Sequence, residues 1–434
     1  MSPVTTGLVG IGLLLLLFLL NMPVGFAMGF VGVVGFAYLA DTGPALSILA
    51  QDIFEQYSSY PLSVIPMFIL MGTFAFASGI SRRLYRTAYA WVGEYRGGLT
   101  IATVIACAGF AAICGSTAAT AATMGKIALP EMKKYKYNDT LATGTVAASG
   151  TLGILIPPST ILIVYGILTE ESIGKLFIAG VLPGILLSLA FVATVVILCL
   201  RNPQLGPPGA PTSFREKIAA ASGIVEAVLL FLLTIGGLFL GWFSPTQAGA
   251  IGAGGALIIG LVRRQLNWKD FMDAVREGLR TSCMVLVIIT GATIFGHFMA
   301  ISTIPFALAD WIENLAISRV ALIGVIIFLY FIGGFFMDSM ALVVVTIPIF
   351  FPVVMQLGFD PIWFGVIIVL VAEMGVITPP VGVNVFVIKG IAPDIPLHRI
   401  FRGILPFLVA LIFITILLTI FPQIATFLPN LVTY

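Results

Sequence analysis

The sequence predicts an all-α polytopic membrane protein. It is built as two inverted repeats, each of about five transmembrane helices plus one re-entrant hairpin. Three observations carry that prediction. Of the 434 residues, 59% are hydrophobic and 9% are charged, and the mean hydropathy is +1.13. Soluble domains carry roughly 25% charged residues, so this composition cannot make a soluble surface. Apolar runs near the spanning length of about 20 residues recur along the whole chain. The proline and glycine pattern also repeats at a shift of 222 residues.

The apolar spans fall at 6–20, 23–40, 63–80, 139–167, 177–200, 224–242, 245–262, 283–301, 362–391 and 404–421. Two further segments, 99–133 and 320–356, are apolar but differently built. Each reads as two short helices around a small or polar centre, Gly115-Ser116-Thr117 in one and Met337-Asp338-Ser339 in the other. A half-segment of about 16 residues reaches about 24 Å at 1.5 Å per residue. The hydrocarbon core is about 30 Å thick, so each pair suits a re-entrant hairpin. Segments 81–96 and 267–281 mix Arg and Lys with Tyr85, Tyr89, Trp91, Trp268 and Phe271. Such helices lie in the headgroup plane of the lipid bilayer.

Charge orients this map. Eighteen of the 21 basic residues fall in five segments, 81–98, 133–136, 201–223, 263–281 and 389–402. The map places all five on one face. The opposite face holds Lys175 and Arg319 beside Asp41, Asp52, Glu55, Glu170, Glu171, Asp310, Glu313 and Asp360. Lys and Arg stay on the cytoplasmic side, so both termini are expected in the periplasm and the linker 201–223 in the cytoplasm. Lys126 remains, inside the first hairpin. The first basic residue is Arg82. A signal peptide needs a basic start, so the N-terminal apolar run is expected to be a retained span. The net charge of +2 gives no footprint for nucleic acid. Cys107, Cys114, Cys199 and Cys283 lie in apolar segments without metal or disulfide spacing and are expected to be packing residues.

The 222-residue shift aligns Pro23 with Pro245, Pro130 with Pro352, Gly153 with Gly375, and Pro157-Pro158 with Pro379-Pro380. It also superposes Ser116 on Asp338 and Thr117 on Ser339. With 25 prolines in the chain, roughly one coincidence is expected at a given shift. The expected organisation is a first repeat over 1–200, a cytoplasmic linker over 201–223 and a second repeat over 224–434. Five crossings per repeat, an odd number, would invert the second copy. Inverted repeats with interrupted helices are a signature of secondary transporters.

The candidate site lies where the helices are interrupted. Each Pro-Pro pair sits mid-span, in 139–167 and in 362–391. Proline has no N–H for the carbonyl four residues back. Pro157 and Pro158 therefore release the carbonyls of Gly153 and Ile154, and Pro379 and Pro380 those of Gly375 and Val376. Released carbonyls in hydrocarbon must face protein or a polar cavity, and a dehydrated cation is a natural occupant. A kink repaired by water or a hydroxyl is the plainer reading. Asp338 and Glu373 are the acids placed deep in the membrane, with Glu226 near a cytoplasmic helix end. Intramembrane acids are usually functional. The alternatives are a partner for Lys126 or a hairpin tip, and a proton relay. The tips, with Ser116, Thr117, Asp338 and Ser339, combine hydroxyls, a carboxylate and half-helix N-termini, whose partial positive charge suits an anion. With no deep Arg, an anion is left to helix dipoles, hydroxyls and bound cations.

The Gly-Ser-Thr-Ala-Ala-Thr-Ala-Ala run at 115–122, the Gly-Ile-Leu-Ile-Pro-Pro-Ser run at 153–159, Ile65 to Gly72, and the Val-Ile-Thr-Pro-Pro-Val-Gly run at 376–382 occur here in order. In these motifs the chain resembles the DctM-like large subunit of tripartite ATP-independent periplasmic (TRAP) transporters, over essentially its whole length. The resemblance implies an elevator-type carrier with an ion-transporter-like architecture, coupled to Na+ and without another cofactor or transition metal. It implies a soluble periplasmic substrate-binding protein and a small four-helix membrane subunit, expected as a separate chain. It implies a small organic anion as cargo, such as sialic acid or a C4-dicarboxylate, and the bacterial inner membrane as location. On that basis the sodium ligands are expected among Gly115, Ser116, Thr117, Gly153, Ile154, Asp338, Ser339, Glu373, Gly375, Val376 and Thr378. Substrate contacts are expected among Thr120, Pro157, Pro158, Ser159, Thr160, Pro379, Pro380 and Asn384.

An intramembrane enzyme fits poorly. An aspartyl protease needs two facing Asp residues, and a zinc protease needs His-Glu-x-x-His, whereas His297 and His398 stand alone. A channel, or a carrier that needs no partner, is the nearer rival. The charge asymmetry generates a direct test of topology. Cysteines introduced at Thr5 and Asn430 should label from the periplasm with an impermeant reagent, and labelling only after permeabilisation would reverse the map.

Overall fold

The computed structural model describes residues 2–314 and 318–431, and within them every regular element is a helix. In the first half these are α1 (Pro3–Leu19), α2 (Val24–Leu39), α3 (Thr42–Ser58), α4 (Val64–Ala77), α5 (Ile80–Val92), α6 (Gly98–Cys114), α7 (Thr117–Lys134), α8 (Asp139–Gly150), α9 (Leu152–Leu155), α10 (Thr160–Thr169) and α11 (Ile173–Arg201). In the second half they are α12 (Phe214–Phe231), α13 (Gly237–Phe239), α14 (Pro245–Val262), α15 (Trp268–Ile301), α16 (Ile304–Asn314), α17 (Arg319–Gly333), α18 (Ser339–Gln356), α19 (Pro361–Ile377), α20 (Val383–Ile391), α21 (Leu397–Ile420) and α22 (Gln423–Asn430). A π-helical turn, Leu232–Gly236, joins α12 to α13.

The helix ends follow local chemistry. Ser116 caps α7 and Asp338 caps α18, each through a side-chain oxygen that accepts a first-turn backbone N–H, the role these short polar side chains serve best. Ser213 and Ser244 form capping boxes with Glu216 and Gln247. Both expected hairpins are present as helix pairs, α6–α7 turning at Gly115-Ser116 and α17–α18 turning at 334–338. Adding 222 to the bounds of α7 gives those of α18, and the α8–α9 range, 139–155, becomes that of α19, 361–377.

Helices from the two halves interlock. α2 packs along α15, and α14 packs along α4. Close approach is possible because the crossing points are glycines: a Cβ on Gly291 would lie 2.0 Å from the carbonyl oxygen of Gly25. Small residues at such crossings let membrane helices gain van der Waals contact where lipid offers no hydrophobic drive. The most buried element is α19, all of whose residues from Ile362 to Ile377 are buried. Around it lie α11, α17, α18 and α21.

The expected map needs four corrections. The interfacial segment 267–281 is not a separate helix; it is the first part of the 34-residue α15, which runs on through Gly278 into the span without a break. The linker is shorter than 201–223, because Ser213 starts α12 at Phe214. The stretch read as a loop before the third span is α3, capped by Asp41 and bent 59° from the following Pro61–Ala77 segment. Its mix of acids with Leu46, Ile53 and Phe54 hides a helix from a hydropathy scan. Cys283 is exposed rather than packed, whereas Cys107, Cys114 and Cys199 are buried. The side chain of Glu313 lies outside the described residues.

On the basic face, Glu226 of α12 accepts Arg83 and Arg263 at 2.5 Å each, and Lys217 meets Glu94 at 2.6 Å. The Lys217 ammonium holds the Glu94 carboxyl below its ordinary value. The α2–α15 crossing predicts that Gly291→Val lowers stability by about 1–3 kcal/mol through overpacking. Gly12→Ala should leave it unchanged, since a Cβ there meets nothing within 4 Å. Thermal unfolding in detergent reads the difference.

Candidate functional site at the hairpin tips

Pro157 and Pro158 end α9, and α10 restarts at Thr160 with Ser159 as its cap. The tip of the first hairpin lies against this break. Thr160 donates through Oγ to the Gly115 carbonyl at 2.9 Å. A Cβ on Gly153 would sit 2.5 Å from the Ser116 carbonyl oxygen and 2.8 Å from Thr120 Oγ1. Glycine at 153 is thus what allows hairpin and broken helix to touch. No hydrogen bond from a described residue reaches the carbonyls of Gly153 or Ile154 across the break, as expected from the two prolines.

The second hairpin meets its own break in the same way. A Cβ on Gly375 would lie 2.3 Å from the backbone of Gly334. Here one expectation fails: the Gly375 carbonyl is not free. It accepts the Thr378 N–H at 3.0 Å and the Thr378 hydroxyl at 3.3 Å, and that hydroxyl also bonds to the Met374 carbonyl. A threonine just before Pro379-Pro380 can fold back on the turn it ends, whereas Ile156 cannot. The Val376 carbonyl accepts no hydrogen bond from a described residue. Pro157 and Pro158 are buried while Pro379 and Pro380 are exposed.

Glu373 joins the two hairpins. Its carboxylate is 1% exposed. Thr117 Oγ donates to Oε2 at 2.8 Å and Ser339 Oγ donates to Oε1 at 2.7 Å. Thr117 and Ser339 are the first residues of α7 and α18 and superpose at the 222 shift. Two hydroxyls and the partly positive first turns of two helices therefore converge on one carboxylate. Burying an ionised carboxylate costs several kcal/mol unless charge or further polar groups oppose it. Glu373 makes no salt bridge among the described residues, so Lys126 is not its partner. Asp338 is exposed, and its Oδ1 is occupied by the N–H groups of Met340 and Ala341 at 2.9 and 3.1 Å.

A group of buried polar side chains on α7, α8 and α20 accompanies this centre. Asn384 Nδ2 donates to the Ala147 carbonyl at 3.1 Å, and the same nitrogen lies 3.0 Å from where a Cβ on Gly150 would stand. Asn384 Oδ1, Thr120 Oγ1 and Ser149 Oγ are buried and unpartnered. Buried polar atoms without partners are rare and call for a ligand, water or ion. Ser149 was not anticipated, because a serine in a small-residue helix such as 147–150 carries no local signal. The oxygens assembled here, of hydroxyls, carbonyls and one carboxylate, form a hard-ligand set suited to alkali and alkaline-earth cations. No group of three or more His, Cys, Asp or Glu that could hold a transition metal occurs among the described residues.

An all-helical bundle whose two helix hairpins meet at a buried carboxylate, beside two interrupted helices, has the build of a membrane transport permease. The chain belongs to the DctM family, the DctM component of tripartite ATP-independent periplasmic transporters, whose pattern it matches over residues 11–424. It is a multi-pass protein of the bacterial inner membrane. It is 40% identical to a C4-dicarboxylate TRAP transporter large permease of Pseudomonas aeruginosa over 88% of this chain and 89% of that one. It is 34% identical to a sialic acid TRAP transporter large permease of Vibrio cholerae over 95% of each. Its fold is similar to the Alcanivorax borkumensis YdaH transporter, with a TM-score of 0.68, 15% identity, and coverage of 96% of this chain and 98% of that one.

The bridge predicts the behaviour of a conservative variant. Glu373→Gln replaces one acceptor oxygen with a donor that faces a hydroxyl. Uptake should fall at least tenfold while the melting temperature in detergent changes little. Uptake within twofold of the parent would remove Glu373 from the working site.

Proposed function

We propose that the chain carries out secondary active, sodium-coupled uptake of a small organic acid anion. A soluble periplasmic binding protein delivers the anion, and a separate small four-helix membrane subunit assists. The observation that carries this reading is the Glu373 carboxylate, held by one hydroxyl from each hairpin tip. A carboxylate at the junction of two half-helices invites a cation. A bound cation together with two helix N-termini can then accept an anion without a deep arginine. Sodium ligands are drawn from the Ser116 tip with the Gly153 and Ile154 carbonyls, and from the Ser339 tip with Glu373 and Val376. Thr120, Ser149, Thr160 and Asn384 provide hydroxyl and amide contacts for the cargo. Permeases of C4-dicarboxylates and of sialic acid are among the similar chains, which supports an organic acid as the class.

Movement is assigned to the hairpins and broken helices as one elevator body, with α2, α4, α14 and α15 as its frame. Support comes from the 222-residue correspondence of helix bounds and from the interlocked glycine crossings. The acidic periplasmic loops capture anions poorly, although salt screens exposed charges beyond about 8 Å, so delivery by a docked protein suits a scarce cargo. The test is reconstitution in liposomes with the small membrane subunit and an inward sodium gradient. Succinate and N-acetylneuraminate serve as first cargoes, each with a binding protein specific for it. Uptake should be negligible for free cargo, clear with liganded binding protein, and lost when potassium replaces sodium. Equal uptake with and without binding protein would favour a stand-alone carrier.

A further inference from the structure

A cavity of 520 Å³ lies between the ends of α4, α5 and α15 and the side of α7. Its wall includes Phe76, Arg82, Thr123, Lys126, Gln265 and Asp270. Two of these are cations with no ion-pair or hydrogen-bond partner among the described residues. The contrast with the next residue is informative: Arg83 is held by Glu226 at 2.5 Å and Gln265 at 2.8 Å and serves the fold. Arg82 and Lys126 line the cavity with one carboxylate, that of Asp270, so its wall carries net positive charge.

The position of Lys126 connects this cavity to the tip site. On α7, Thr120, Thr123 and Ile127 recur on one helical face with Lys126 at its edge. Lys126 stands ten residues, about 15 Å, below the Ser116 cap. The residue 222 positions on is Pro348, so the second hairpin has no such cation. The charge therefore marks one side of the membrane, the side of basic segments 81–98 and 263–281.

We propose that Lys126 and Arg82 form an exit subsite for a carboxylate-bearing anion, which holds the cargo briefly between the hairpin tip and the cytoplasm. This rests on the transport reading above. Cations set in a walled cavity raise the local concentration of anions. An exposed, flexible lysine binds loosely enough to release them.

The experiment uses the full chain in nanodiscs, with Cys283→Ser to remove the exposed native thiol. Ile127→Cys reports from the hairpin wall, and Ala77→Cys from the opposite wall should one variant fail to fold. Rates of labelling by an anionic and a cationic methanethiosulfonate are each normalised to a free thiol. The anionic reagent should react about five-fold faster, and millimolar succinate should slow it. Lys126→Gln with Arg82→Gln should abolish both effects, and Lys126→Arg should keep them. Charge preference or succinate protection that persists in the double glutamine variant would overturn the subsite. That result with sodium-driven uptake of the same variant intact in the liposome assay removes the subsite alone. Absent uptake with the charge preference intact removes the transport reading and leaves an anion-binding cavity.

Discussion

Inside hydrocarbon a peptide group that loses its helical partner has no water to turn to. Pro157-Pro158 and Pro379-Pro380 create four such losses in the middle of the membrane, and the surrounding architecture answers them. The broken helices are shielded by hairpins whose tips press against Gly153 and Gly375. The hairpins are in turn surrounded by helices that bury α19 along its length. Thr378 folds back to serve the Gly375 carbonyl, and the carbonyls of Gly153, Ile154 and Val376 stay available. The polar site is the residue of backbone need that protein does not fill.

Glu373 makes the two breaks one site. A carboxylate accepting from Thr117 and from Ser339 couples the first turns of α7 and α18 directly. Its counterpart in the first half is Thr151, which bonds only to Ala148 of its own turn at 2.6 Å. Near-symmetric scaffolding therefore carries an asymmetric charge. Lys126 is asymmetric in the same sense, since its counterpart is Pro348.

Local signals made much of this legible from residues alone. Gly115-Ser116 marks a turn and a cap, each Pro-Pro pair marks a break, and both lie where expected. What depends on distant contact was less visible. The Thr117–Glu373 pair spans 256 positions and has no local signature. The unpartnered Ser149 and the Asn384–Ala147 bond depend on how α20 meets α8. Amphipathic helices that lie beside the bundle also escaped, since α3 mixes acids with lipid-facing apolar residues and lowers any hydropathy average.

The interlocked crossings bear on how the protein is made. Gly25 of α2 packs against Val287, Ile288 and Gly291 of α15, and α4 likewise waits for α14. At synthesis rates of roughly 5–20 residues per second, the chain between them takes on the order of 10–50 s to emerge. During that interval α2 and α4 sit in lipid with their glycine faces open, and neither half can close its frame. Biogenesis must therefore hold the first half with α2 and α4 still lacking their second-half neighbours, and assembly becomes a late, whole-chain event rather than the joining of two finished halves.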